Sequence, residues 1–320
     1  MRTMAAVGAA IVLGGCSGNN AGQPPAAGGG QSMAAQPGAS QPVQSSEADW
    51  KPVADALGRS GQLASANTVY RVSFPRRDLS VASQGVPVKA GLALGSYAAF
   101  ARYGNGTTMA MGDLVVTEEE LPKVTDALQQ NGIAQTAVHK HLLEHTPPVW
   151  WTHFDAEGAD PGAIARGLKA ALDTTDTPPA APAAPPGPID LGTAAIDTAL
   201  GAKGTNDGGI YKFTFARNGG VSMHGMALPP AMGVTTALNF QPTGGGKAAI
   251  NGDFAMTADE VQKVIQALRA GGIDIVELHN HAFDDDPRLF YMHFWANDDA
   301  AKLAQALHTA VAAQNVAPAS

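Results

Sequence analysis

The chain has 320 residues, 45% of them hydrophobic and 15% charged, with a formal charge of −8 and a pI near 5.5. No Lys/Arg cluster could neutralise a run of phosphates, which excludes nucleic acid as a partner. A single cysteine excludes a disulfide framework and a cysteine-based zinc site within one chain.

Read from the start, Arg2 precedes an apolar run over 4–13, then Gly14-Gly15-Cys16. Ten or so apolar residues are too few to cross about 30 Å of hydrocarbon as a helix, so 1–15 is expected to be a cleaved signal peptide. The only cysteine falls where the small residues end. Leu13-Gly14-Gly15-Cys16 therefore resembles a bacterial lipobox, with Cys16 lipidated after cleavage. That implies a membrane partner through a lipid anchor. The address would be the periplasmic side of an outer membrane or the outer face of the cell membrane. Residues 16–47 are rich in Gly, Ala, Pro and Gln, and too poor in large apolar side chains to offset chain entropy; they are expected to be a flexible tether.

Two copies of one domain follow, over 48–173 and 190–315. Gly112-Asp113 recurs as Gly252-Asp253, His139-Lys140-His141 as His279-Asn280-His281, Pro147 as Pro287 and His153-Phe154 as His293-Phe294. Each pair is 140 positions apart, without a gap. A Pro/Ala linker, 174–189, joins the copies. At about 3 Å per residue it reaches about 40 Å, enough for them to pack side by side.

Within each copy the alternation at 69–74 and 210–215 predicts a strand. Further strands are expected near 86–94, 97–103 and 108–116, with counterparts near 234–240 and 248–256. Thr117 with Glu120, and Thr257 with Glu260, form capping boxes that open helices running to about 131 and 270. Gly132 and Gly271-Gly272 end them. A strand, a turn at Pro147 or Pro287, a second strand and a closing helix complete each copy. The closing helices are expected near 161–172 and 298–312. The order β…β-α-β-β-α predicts an α+β fold, with two helices on one face of a mainly antiparallel sheet.

The hairpin carries the candidate site. Positions i and i+2 of a strand share a face, so His139 and His141 lie together, as do His279 and His281. A hairpin turning about Pro147 or Pro287 sets His153 opposite His141 and His293 opposite His281. Three imidazoles aimed at one point can hold a divalent metal such as zinc, with water as fourth ligand. A metal-free pocket or a structural hydrogen-bond network remains open, as does a ligand set shared between the copies. Leu278, Ala282, Phe290, Met292 and Phe294 alternate out of phase and are expected to pack on the helices. Glu277, Phe283, Tyr291 and Trp295 share the histidine face and would line a pocket for a small-molecule ligand. Glu277, or a carboxylate from elsewhere in the chain, would be the acid/base of an enzyme. Arg288 is a further pocket candidate. Asp113 and Asp253 are candidates for orienting the imidazoles. His145, His224 and His308 have no counterparts. No Walker loop and no Gly-x-Ser-x-Gly element occurs.

Leu278-His279-Asn280-His281, Asp286-Pro287-Arg288 and Tyr291-Met292-His293 resemble the signature of the LppY/LpqO-type bacterial lipoproteins, whose domain is often duplicated and has no known function. The first copy departs from that pattern at Lys140 and Pro148. The resemblance implies a cell-envelope lipoprotein and no reaction. A more distant analogy is the zinc site of acetolactate decarboxylase, which also uses His-x-His and a downstream His. Two readings follow: a membrane-anchored ligand- or metal-binding module with a site in each copy, or a zinc-type envelope lyase or hydrolase.

Overall fold

Strand alternation sets up two distinct faces in each copy. In the strand Gly95–Arg102, Ala98 and Phe100 pack under helices, while Ala99 and Ala101 point the other way into a second cluster. The computed structural model describes residues 38–181 and 187–319. The expected signal peptide, Cys16, the tether up to residue 37 and linker residues 182–186 lie outside the described residues.

The fold is α+β, as expected. In the first copy the strand order is Gln62–Ala64, Val69–Pro75, Gly95–Arg102, Thr108–Thr117, Val149–Gly158, Ala134–His139, all antiparallel. The second copy repeats it as Thr205–Asp207, Ile210–Arg217, Thr235–Gly244, Lys247–Met256, Phe290–Asp299, Asp274–His279. There Val316–Pro318 adds to the strand Ile210–Arg217.

One face of each sheet is covered by its own helices. Val124 and Leu128 of Leu121–Gln130, and Ile164 and Leu168 of Pro161–Leu172, pack on Phe100, Leu114 and Phe154. Val264, Leu268, Leu303 and Leu307 do the same over Phe240, Phe254 and Phe294. The other face of each sheet meets the other copy. Met109 and Met111 share a cluster with Met223, Met226 and Tyr291, and Trp151 shares one with Ile210 and Trp295. Both faces being covered explains why Thr108–Thr117 is buried along almost its whole length.

Several expectations shift. The stretch expected as a strand over 86–94 is a short strand, Val86–Val88, followed by one helical turn, Ala90–Ala93. Each copy opens with a helix that was not anticipated, Lys51–Leu57 or Thr193–Leu200, stopped by Gly58 or Gly201 in the left-handed conformation (φ 64° in both). The tether is not free to its end: Ser40 bonds to Gly225 and Ala227, and Val43 to Arg102. Linker carbonyls of Pro178 and Pro179 accept from Arg59 and Arg77.

The capping box opens the helix Ala258–Ala270 as expected. In the first copy the same reciprocal Thr117–Glu120 bonds close a turn, and the helix starts later, at Leu121 with Glu120 as N-cap. Both glutamates do more than this. Each also pairs with a buried arginine: Arg76 Nη1 lies 2.6 Å from Glu120, and Arg217 Nη1 lies 2.7 Å from Glu260. The same guanidiniums donate to the carbonyls of Val115 and Ala255 at the ends of the central strands. These bonds tie the start of each capped helix to the sheet it covers.

Candidate metal centre

Register decides which histidines meet. His153 sits opposite Asp113 on one side and Ala137 on the other, while His139 sits opposite Trp151. In the second copy His293 sits between Asp253 and Glu277, and His279 opposite Tyr291. The expected pairings of His141 with His153 and of His281 with His293 are therefore incorrect. Each hairpin's first strand ends at His139 or His279, and His141 and His281 lie just beyond. The reason is local. Residues 145–146 and 285–286 leave their own hairpins to pair with Val81–Ser83 and Ser222–Met223, which lengthens each loop and moves the centre of pairing.

Gly112 and Gly252 let the neighbouring chain come close. A Cβ at Gly112 would stand 2.1 Å from the Tyr97 carbonyl oxygen, and one at Gly252 would stand 1.9 Å from that of Ala237. Their own carbonyls accept from His153 Nδ1 (3.2 Å) and His293 Nδ1 (2.7 Å). The Gly233 carbonyl accepts from His281 Nδ1 at 3.2 Å. A proton held on Nδ1 leaves the Nε2 lone pair free, which is how metal-binding imidazoles are commonly oriented.

All six repeated histidines converge in one cluster between the copies. His139 stacks on His279 with ring centroids 4.0 Å apart. His141 lies 3.7 Å from His293, and His153 lies 3.7 Å from His281. The arrangement has an approximate two-fold symmetry that exchanges the copies. His139–His153 and His279–His293 are both 4.8 Å apart. Asp113 Oδ2 lies 3.3 Å from His141 Nε2, and Asp253 Oδ2 lies 3.2 Å from His281 Nε2. Trp151 stacks on His141 where Tyr291 stacks on His281.

Among the described residues, two three-histidine sets have ligand atoms within 4.8 Å of one another: His139, His141 and His293; and His139, His153 and His279. Both draw on the two copies. Neither is the set expected within a single copy, His139-His141-His153 or His279-His281-His293.

Burial holds most of these rings neutral. It pushes His139, His141 and His279 well below the ordinary histidine value, and neighbouring imidazoles push the same way. His153 and His281 are pushed down to about 3, again chiefly by burial. Burial raises Asp253 to about 6. Neutral imidazole is the metal-binding form.

Nine buried side-chain polar atoms among the described residues lack a hydrogen-bond partner. Eight belong to this cluster: Nδ1 of His139, both ring nitrogens of His279, Nε2 of His153, His281 and His293, and Oδ1 of Asp113 and Asp253. At about 1–3 kcal/mol each, such a group is costly for a core to hold. A divalent cation would satisfy nitrogen lone pairs and carboxylates together. Tetrahedral zinc with Zn–N of 2.0–2.1 Å holds its donors about 3.3 Å apart, so small side-chain movements close either set. His139 Nε2 and His141 Nε2 are already only 2.9 Å apart.

The other candidates separate. Tyr291 joins the site as a stacking wall. Glu277 accepts from the backbone N–H of Lys140, so its carboxylate holds the two hairpins together instead of standing free as an acid/base. Arg288 is half exposed and donates to Ala282 and Asp285, away from the imidazoles. Phe283 is 63% exposed, and Leu278 46% exposed instead of packed on helices. Ala282 is buried in the shared cluster, not under the helices. Trp295 is buried against the first copy. His145 bonds to the backbone of Leu142 and Val149, and His308 to that of Leu200. His224 pairs with Glu157 across the copies.

Fold and cluster together define a duplicated α+β protein whose repeats bury one histidine-aspartate cluster between them. The family model described as Domain of Unknown Function (DUF1259) matches residues 51–174 and 194–313, and the chain belongs to that family, with two copies of its domain. No curated protein matches. Among solved structures, a trimeric bacterial microcompartment shell protein, PduB, is 11% identical, with 78% of this chain and 89% of that one covered and a TM-score of 0.21. A double-ringed trimeric shell protein from the RMM microcompartment is 10% identical over 75% and 93%, with a TM-score of 0.18. Neither likeness bears on function at those scores.

Proposed function

We propose that the chain is a lipid-anchored protein of the bacterial cell envelope, of the LppY/LpqO type, whose two domain copies jointly bind a first-row transition metal. The observation that carries the metal reading is the convergence of six imidazoles and two carboxylates, with eight of their buried polar atoms unpartnered. A donor set dominated by imidazole suits zinc, copper, nickel or iron better than magnesium or calcium. The lipobox-like Leu13-Gly14-Gly15-Cys16 supports the anchor. A binding module is favoured over a lyase or hydrolase because the acid/base candidate Glu277 is engaged with Lys140.

The test is the metal content of the full chain, purified in detergent without a histidine tag and measured by elemental mass spectrometry beside His279→Ala/His281→Ala. Bound zinc, copper, nickel or iron that is reduced in the double variant is the expected result. Absence of metal after reconstitution with each ion would overturn the reading. For the anchor, Cys16→Ala is expected to move the protein from the membrane fraction to the soluble fraction; unchanged fractionation would refute lipidation at Cys16.

A further inference from the structure

We infer that the centre holds two metal ions side by side, related by the approximate two-fold symmetry that exchanges the copies. This inference rests on the metal-binding reading above and deepens it.

Donor number is the first argument. One tetrahedral ion uses four donors and one octahedral ion six. The cluster offers six imidazoles and two carboxylates, and His279 alone presents two buried, unpartnered nitrogens. A single ion would leave buried polar atoms stranded wherever it sat. Two ions with three imidazoles and a carboxylate each use all six rings and both carboxylates.

Symmetry is the second argument. The set His139, His141 and His293 has Asp113 beside it, 3.3 Å from His141 Nε2. Exchanging the copies turns that set into His279, His281 and His153, with Asp253 3.2 Å from His281 Nε2. His153 and His279 already converge with His139 in the second three-histidine set. His139 and His279 stack at 4.0 Å between the two positions, so the ions would be neighbours. Each would be held by both copies: His139 and His141 with His293 for one, His279 and His281 with His153 for the other. Either copy alone lacks a complete set.

The experiment is a titration of the metal-stripped full chain with Co(II), followed by its visible absorption. Bound metal is counted after desalting, and the Cu(II)-loaded protein is examined by electron paramagnetic resonance. The expected result is a break at two equivalents, with spin-coupled Cu(II). His141→Ala is expected to retain one equivalent, and His141→Ala/His281→Ala none. A break at one equivalent in the unaltered chain would overturn the two-ion arrangement and leave the metal-binding reading standing. No binding would overturn both. Two equivalents with magnetically isolated Cu(II) would refute the side-by-side placement. The stoichiometry of the unaltered chain keeps the test decisive even if a variant fails to fold.

Discussion

Replacing His279 with leucine should make the metal-free protein more stable and the metal-loaded protein less stable. Both nitrogens of His279 are buried without a partner. A buried, unsatisfied polar group costs about 1–3 kcal/mol, and leucine of similar volume removes it. Against this stands the lost stack on His139, with ring centroids 4.0 Å apart, worth about 0.5–1.5 kcal/mol. The balance favours His279→Leu by about 1–2 kcal/mol without metal. With free metal at a hundred times Kd, each filled site adds about 2.7 kcal/mol, and a variant with one broken site forgoes that much relative to the unaltered chain. The order of stability then reverses. Urea unfolding of both proteins, with chelator and with zinc, reads the crossing. A His279→Leu variant less stable than the unaltered chain in chelator would refute the idea that this cluster is costly without an ion.

Removing the buried partner of Glu260 should be severe: Arg217→Ala is expected to cost about 3–5 kcal/mol, because the carboxylate it leaves behind is only 7% exposed. Urea unfolding should show most of that loss recovered in Arg217→Met/Glu260→Leu; no recovery would contradict the stranded-charge explanation. Gly252→Ala would bring a Cβ to 1.9 Å from the Ala237 carbonyl oxygen. Overpacking of that kind costs about 1–3 kcal/mol, and bound metal should fall with the displaced His293 acceptor; thermal melting and metal analysis check both. The hydrogen bond that His224 donates to Glu157 raises it above its ordinary value of 6.5. A raised histidine stabilises most below the unfolded-state value, and the contribution fades as pH rises through the folded-state value. His224→Gln should therefore lose stability relative to the unaltered chain below pH 6 and approach it by pH 9; a constant difference across that range would contradict the assignment.

Much of the architecture was legible because periodicity and capping are local. Thr257 and Glu260 marked a helix start, and Pro161–Leu172 was bounded by its own residues. The opening helices were missed because they are short and their apolar faces pack on the sheet from outside the repeat's clearest segment, although Leu57-Gly58 and Leu200-Gly201 carried the stop signal. The six metal-site candidates were also legible, as a pattern kept in both copies. Their grouping was not. Strand spacing indicates which side chains share a face, but loop residues 145–146 and 285–286 set the register by pairing elsewhere in the fold. The contact of one copy's histidines with the other's depends on how two sheets face each other, which no local pattern encodes. Asp113 and Asp253 illustrate the limit. Their position after glycine was visible, but their approach to His141 and His281 comes from those loops folding back.

The central claim is that the copies share one centre, and one variant separates that from a site in each copy. His139→Ala/His141→Ala/His153→Ala removes the first copy's histidines and leaves His279, His281 and His293 intact. Bound metal per chain is counted after zinc loading and desalting, with circular dichroism confirming the fold. A shared centre predicts that essentially all metal is lost, because each set keeps at most two of its three imidazoles. Retention of half the metal, at undiminished affinity, would contradict the account and return the site to the single copy.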